Sequence, residues 1–227
     1  MPQLTTYAEF LARVDALGFI ALSKSAPGLP YLGEETLPEQ WHTGLDETDP
    51  WRWKDRAAEE KRIAYGCILG GQKGFVAARL YPAFYAACRP ARSMPERWND
   101  GELKQVVWQL WQLFEEHPLL NTSDVRRLMG VSKGSALTPG AVDGGIQQLE
   151  REFYLATAGV RRKVAHNGQP YGWPATVYEP VARWAPPEWL SEAATLRPRE
   201  ARLEILDCAA AMGGVEMAGV EKLLWGK

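Results

Sequence analysis

The run LTPGAVDGGIQQLEREFYLA, Leu137–Ala156, decides how the middle of this chain folds. Thr138 ahead of Pro139 is a cap followed by proline in the first turn, which starts a helix. Val142, Ile146, Leu149 and Phe153 then recur at helical spacing, and from Phe153 to Ala158 the pattern becomes that of a strand. With the apolar stripe turned inward, Asp143, Gln147, Gln148 and Arg151 point outward.

Upstream of this run, Leu103, Val107, Leu110 and Phe114 form one stripe across Gly101–Glu116, and Asn99 with Glu102 has the spacing of a capping box. A short second helix follows, with Thr122 as its N-cap, Val125, Leu128 and Met129 apolar, and Gly130 as its stop. Downstream, strands over Phe153–Ala158 and Ala175–Tyr178 flank Arg161, Arg162, Lys163 and the turn Asn167-Gly168. Three helices closed by a basic hairpin is the order of a winged helix-turn-helix, expected from about Asn99 to about Trp184. In such a module the third helix enters the major groove and the wing sets cations on phosphates. Gln147, Gln148 and Arg151 are then the candidate base readers, glutamine for adenine and arginine for guanine, and Arg161, Arg162 and Lys163 the candidate phosphate contacts. Asp143 and the pair Gly144-Gly145 weigh against sequence readout, the first by repelling phosphate and the second by weakening the helix.

The remainder of the chain reads as α+β. Tyr7–Leu17 is an amphipathic helix stopped by Gly18, and Phe19–Leu22 a strand. Pro27–Pro50 is a loop rich in proline, glycine and acids. Arg62–Leu69 and Gly74–Tyr81 form a β-hairpin around the glycine-bearing connection Gly70–Gly74. Pro90, Pro95 and the polar stretch Arg97–Gly101 mark a boundary. Beyond Pro186-Pro187, the segments Glu188–Leu196, Arg199–Met212 and Val215–Trp225 read as helices packing as a cap. The expected organisation is an N-terminal α/β module with its hairpin (1–98), a winged helix-turn-helix (99–185) and a helical C-terminal cap (186–227).

Composition narrows the function classes. The 227 residues are 46% hydrophobic and carry a net charge of -2, so a nucleic-acid surface has to be local. Charge is uneven: Glu34–Asp49 holds six acids and no lysine or arginine, whereas Asn121–Pro170 holds seven bases and four acids. No window approaches the ~20 apolar residues of a membrane span, and MPQLTTYAEF lacks the basic-then-apolar order of a signal peptide. A cytoplasmic protein is therefore expected. Cys67, Cys88 and Cys208 have neither disulfide-framework nor zinc spacing, so free thiols, no metal and no cofactor are expected.

Chemistry concentrates in Trp41–Arg56, where acids, bases and three tryptophans fall within sixteen residues. Such a loop can set a base, Asp46 or Asp49 with His42 alongside, beside the cations Lys54 and Arg56. Trp51 and Trp53 would be aromatic walls for a planar ligand such as a nucleobase. The alternative is a salt-bridged loop with its tryptophans in the core. Trp108, off the stripe of its helix, is a seam to the N-terminal module or an exposed stacking platform.

Several short segments also carry a resemblance: Asp49-Pro50-Trp51-Arg52-Trp53-Lys54, Tyr65-Gly66, Lys73-Gly74-Phe75-Val76, Tyr81-Pro82-Ala83-Phe84, and Pro170-Tyr171-Gly172-Trp173 with Tyr178. In order and spacing, roughly from Tyr7 to Trp184, they resemble the AlkZ-related proteins, small bacterial relatives of the AlkZ/YcaQ winged-helix DNA glycosylases that release alkylated and crosslinked bases. The resemblance implies double-stranded or damaged DNA as partner and lesion recognition, or base excision, as activity. The catalytic pair of those enzymes, two glutamines separated by one apolar residue, has no counterpart. Gln109-Leu110-Trp111-Gln112 has two intervening residues and Gln147-Gln148 none, so no catalytic residue is carried over. A non-catalytic protein-interaction module is the third expectation, distinguished by whether Gln147, Arg151 and the wing are covered.

Overall fold

The computed structural model describes residues 3–164 and 166–226. At its start, helix α1 (Tyr7–Leu17) opens on a full capping box between Thr6 and Glu9 and ends where Gly18, at φ +82°, turns the chain into strand β1 (Phe19–Ala21). Pro50 and the N-cap Asp49 then start helix α2 (Pro50–Glu59), which carries Trp51, Trp53, Lys54 and Arg56. These residues therefore sit on a helix, and only 41–49 is loop: Asp49 accepting from the Trp51 amide, with proline in the first turn, is a start signal that a loop assignment overlooks.

Strands β2 (Ile63–Leu69) and β3 (Gln72–Ala77) form the expected hairpin around Gly70 and Gly71, and β1 adds to it in the antiparallel order β1-β3-β2. The strand expected as far as Tyr81 instead gives way to helix α3 (Tyr81–Cys88), whose Pro82 suits a first turn. Helix α4 (Met94–Asn99) follows, and the capping box lies there, between Ser93 and Glu96; the Asn99–Glu102 spacing makes none.

The central segment runs α5 (Gln105–Glu116), β4 (Leu120–Asn121), α6 (Thr122–Leu128), α7 (Pro139–Arg151), β5 (Leu155–Val164) and β6 (Pro170–Pro180), with a second antiparallel sheet in the order β4-β6-β5. Asn121, one residue before the expected cap, holds the amides of Ser123 and Asp124. Thr138 caps α7 as its sequence predicts. Val107, Leu110, Phe114, Val125, Val142, Ile146 and Leu149 bury one core here, with Met94 joining it. Trp108 lies between Trp98 and Trp111, with ring centroids 5.4 and 4.9 Å away, so it is half-buried in a stack with α4.

After the short helix α8 (Val181–Trp184) come α9 (Pro187–Ala193), α10 (Pro198–Ala211) and α11 (Met217–Trp225). Helices α9 and α10 pack on α3 and α11 packs on α10: Tyr81, Phe84, Trp184, Trp189, Ile205 and Leu224 share a core with Phe19 and Phe153. The protein is thus mixed α+β. No helix among the described residues is long and apolar enough to cross a membrane.

A cleft between the tryptophan helix and the basic hairpin

Helix α2 and the β5–β6 hairpin face each other across a continuous cleft. Its outer part, about 660 Å³, is lined by His42, Asp46, Trp51, Arg56, Arg162 and Trp173. The inner part, about 560 Å³, reaches Lys54, Tyr65, Cys67, Lys73, Glu150 and Thr157. Trp51, Asp55, Val160, Trp173 and Pro174 line both. Two regions far apart in sequence, the tryptophan-rich segment and the basic hairpin, therefore become opposite walls of one site.

Within the outer part, the candidates separate by their surroundings. Asp49 is buried, and its carboxylate accepts the amides of His42 (3.0 Å), Gly44 (2.9 Å) and Trp51 (2.9 Å), so it folds the loop and caps α2 rather than standing free as a base. Asp46 is exposed and paired with Arg52. His42, at φ +64°, lies 4.9 Å from the Trp51 ring. Arg56 bonds Glu47 and Glu60 and covers the Tyr7 ring at 4.0 Å. Trp53 is fully buried, stacked on Phe10 at 5.5 Å, and its indole donates to the Glu47 carbonyl. It is a core residue and walls no cleft, because the helical turn that sets Trp51 on the cleft face rotates Trp53 about 200° away.

Sequence reasoning named Lys54 as a cation of this segment but missed its partner Asp55, Glu150 and the burial of all three. Lys54 and Asp55 are both buried, with Nζ 2.5 Å from Oδ1, and Nζ lies 4.2 Å from the Trp51 ring and 5.5 Å from that of Tyr65. Burial lowers the lysine from its ordinary value and raises the aspartate, each against the attraction of the other. On the last turn of α7, Glu150 is buried against β2 and accepts from the Thr157 hydroxyl at 2.8 Å. Gly66 makes room for it: a Cβ there would lie 2.6 Å from the Glu150 carboxyl. Burial holds Glu150 above the usual carboxylate range, opposed by the Thr157 and Cys67 contacts. The Cys67 thiol is pushed up to about 12, first by burial and then by Glu150. The Tyr65 hydroxyl, also buried, has no hydrogen-bond partner among the described residues. A carboxyl kept neutral can give a proton, and a lysine kept short of its charge can act as a nucleophile. Glu150 escaped notice because it stands between Leu149 and Arg151 like an ordinary surface acid; only the docking of α7 on β2 buries it.

The proposed DNA contacts also occupy defined places. Arg161 and Arg162 are exposed on β5, while the side chain of Lys163 lies outside the described residues. Gln147 is exposed, yet its amide donates to the Gly71 carbonyl at 2.6 Å, tying α7 to the β2–β3 turn. Gln148 donates to Glu152 at 3.1 Å, and Arg151 is exposed. Asp143 is paired with Arg126 at 2.6 Å, so the acid expected to repel phosphate is partly neutralised. Among the described residues no group of three or more histidines, cysteines or acids is placed to hold a metal ion.

A family model described as AlkZ related matches residues 4–224. The chain belongs to the AlkZ-related family. The match reaches past Trp184 through the C-terminal helices of this AlkZ-related chain, further than the motifs alone extend. No curated protein and no solved structure matches it.

Proposed function

We propose that this AlkZ-related protein binds duplex or damaged DNA, with the β5–β6 hairpin on the phosphate backbone and a displaced or damaged nucleotide in the adjoining cleft. Residues 99–185 act as a winged helix, with 1–98 supplying the opposite cleft wall and 186–227 packing on α3 of that N-terminal part. Support comes from the order α5–β4–α6–α7–β5–β6 and from the sheet order β4-β6-β5. The observation that carries the proposal is the shared cleft, in which exposed Arg162 and Trp173 of the hairpin face Trp51 and Lys54 of α2. Cations for phosphate and indoles for stacking on bases then stand at one opening.

In this reading the hairpin and the cleft, rather than the outward face of α7, form the centre of recognition. Gln147 is committed to Gly71, and Glu150 is turned into the protein, so α7 offers little to a major groove. Binding is expected to be salt-dependent and weakly selective for sequence. Fluorescence anisotropy with a labelled duplex, intact or carrying an abasic or alkylated site, tests it. Arg161→Ala with Arg162→Ala is expected to weaken binding about equally across sequences and to make the slope of log K against log salt shallower by about 2. Unchanged affinity in the double variant would reject the hairpin as the contact surface.

Hydrolysis of an N-glycosidic bond is a second reading, favoured by Glu150, a carboxyl held toward its neutral form beside the cleft and able to protonate a departing base. Base release from methylated duplex, read as alkali-labile breaks, is then expected to fall by about 10²-fold or more in Glu150→Gln. Absence of breaks with the unaltered protein overturns this reading and leaves the binding proposal standing.

A further inference from the structure

Lysine side chains are almost never buried unless something holds them. Lys54 is buried in the inner cleft, its ammonium enclosed by Asp55, the Trp51 face and the Tyr65 ring rather than by water. Burying the charges of such a pair offsets most of what their attraction contributes, so stability alone does not account for its place on the wall of a cleft of about 560 Å³. A buried lysine next to a carboxylate, open on one side to a ligand, is the arrangement that carbonyl chemistry requires. The amine must be able to lose its charge, and an acid–base partner must pass the protons. The substrate has to be an aldehyde small enough for the inner cleft and bordered by phosphates. Lys73 on the same lining supplies a cation for those phosphates, and Trp51 and Trp173 supply faces on which neighbouring bases can stack.

We propose that Lys54 is the nucleophile of an abasic-site lyase: its Nζ condenses with the C1′ aldehyde of a base-free deoxyribose seated in the inner cleft. The proposal rests on the DNA-binding reading and adds to it a covalent step that binding does not require. Nζ attacks C1′, the C1′ oxygen leaves as water, and an imine links Lys54 to the sugar. The Asp55 carboxylate removes a proton from C2′, the electron pair forms the C2′–C3′ double bond, and the C3′–O bond breaks with the phosphate as leaving group. Water then hydrolyses the imine, which frees Lys54 and leaves an unsaturated aldehyde on the 5′ fragment. No metal, oxidant or reductant enters the step. Burial acts in its favour at both residues, lowering the lysine and raising the aspartate from their ordinary values.

The test uses the full chain and a 5′-labelled duplex with one abasic site, with and without sodium borohydride. With borohydride, a covalent protein–DNA adduct is expected, and peptide mapping should place it on Lys54. Without the reductant, the strand should be cut on the 3′ side of the abasic site. Lys54→Arg keeps the charge but forms no stable imine, so trapping per bound duplex, with binding measured alongside, should fall to the no-borohydride background. Wild-type protein that binds the abasic duplex yet gives no adduct, an adduct on Lys73 or another amine, or undiminished trapping in Lys54→Arg overturns the proposal. If no duplex binds at all, the DNA reading fails first. Borohydride labelling of the wild-type chain with 2-deoxyribose 5-phosphate then decides separately, a Lys54 adduct supporting the nucleophile and its absence removing it. Because the adduct is mapped on wild-type protein, the result does not depend on whether a variant folds.

Discussion

Glu150 shows how one side chain changes character through its surroundings. In the unfolded chain it is an ordinary carboxylate, whereas in the fold it lies between α7 and β2 with the Thr157 hydroxyl as its bonded partner. Its folded value is raised, so the neutral form is the one the folded state prefers. The stability this brings is complete below its ordinary value of 4.5 and is lost as pH rises through the raised folded value. Glu150→Gln does not titrate and is expected to lack that loss. Thermal unfolding of the two proteins at pH 4.5 and pH 8 should show the wild type losing ground to the variant at the higher pH, and parallel behaviour would contradict the raised value. Asp49 makes the opposite point. It looks like a candidate base within a dense sequence, yet three backbone amides occupy its carboxylate, which makes it a cap.

At the scale of elements, Gly144 and Gly145 look like one weakness in α7 and are two different things. A Cβ on Gly145 would lie 2.5 Å from the buried Leu110 side chain of α5, so the missing side chain is what lets the two helices approach. A Cβ on Gly144 would meet nothing within 4 Å among the described residues. Gly144→Ala is therefore expected to stabilise the protein by roughly 0.5–1 kcal/mol, from helix propensity alone. Gly145→Ala is expected to destabilise it by about 1–3 kcal/mol through overpacking. Urea unfolding of the two variants checks both signs. Helical geometry also decides between the two readings of the tryptophans: residues two apart on a helix do not share a face, so once Pro50–Glu59 is helical, Trp51 and Trp53 divide between cleft and core.

The whole molecule is held by interlocking cores that do not follow chain order. Of the three C-terminal helices, α9 and α10 cover α3 and α11 packs on α10, and all three meet Tyr81, Phe84 and Trp184 in the core that also holds Phe19 of the first sheet. They stabilise the half of the protein that bears the tryptophan wall. A chain ending after Ala185 would uncover this apolar face and is expected to lose cooperative thermal unfolding and to aggregate, measured by circular dichroism and size-exclusion chromatography. A truncated chain that melts sharply and stays monomeric would show that 186–227 is an appendage.

Local physics was legible in the sequence wherever one element's own pattern suffices. The amphipathic stripes of α1, α5 and α7, the Thr138-Pro139 start, the Gly70-Gly71 hairpin and the three C-terminal helices follow from periodicity and caps, which act over a few residues. The basic hairpin and the tryptophan-rich segment were also legible, as were the motifs of the AlkZ-related family. The sequence could not say that these two regions form one cleft, that Trp53 is core and Asp49 a cap, or that Lys54, Asp55 and Glu150 are buried. Burial and juxtaposition are properties of contacts between residues far apart in the chain. They are decided when α7 docks on β2 and the hairpin closes over α2, which no local pattern encodes.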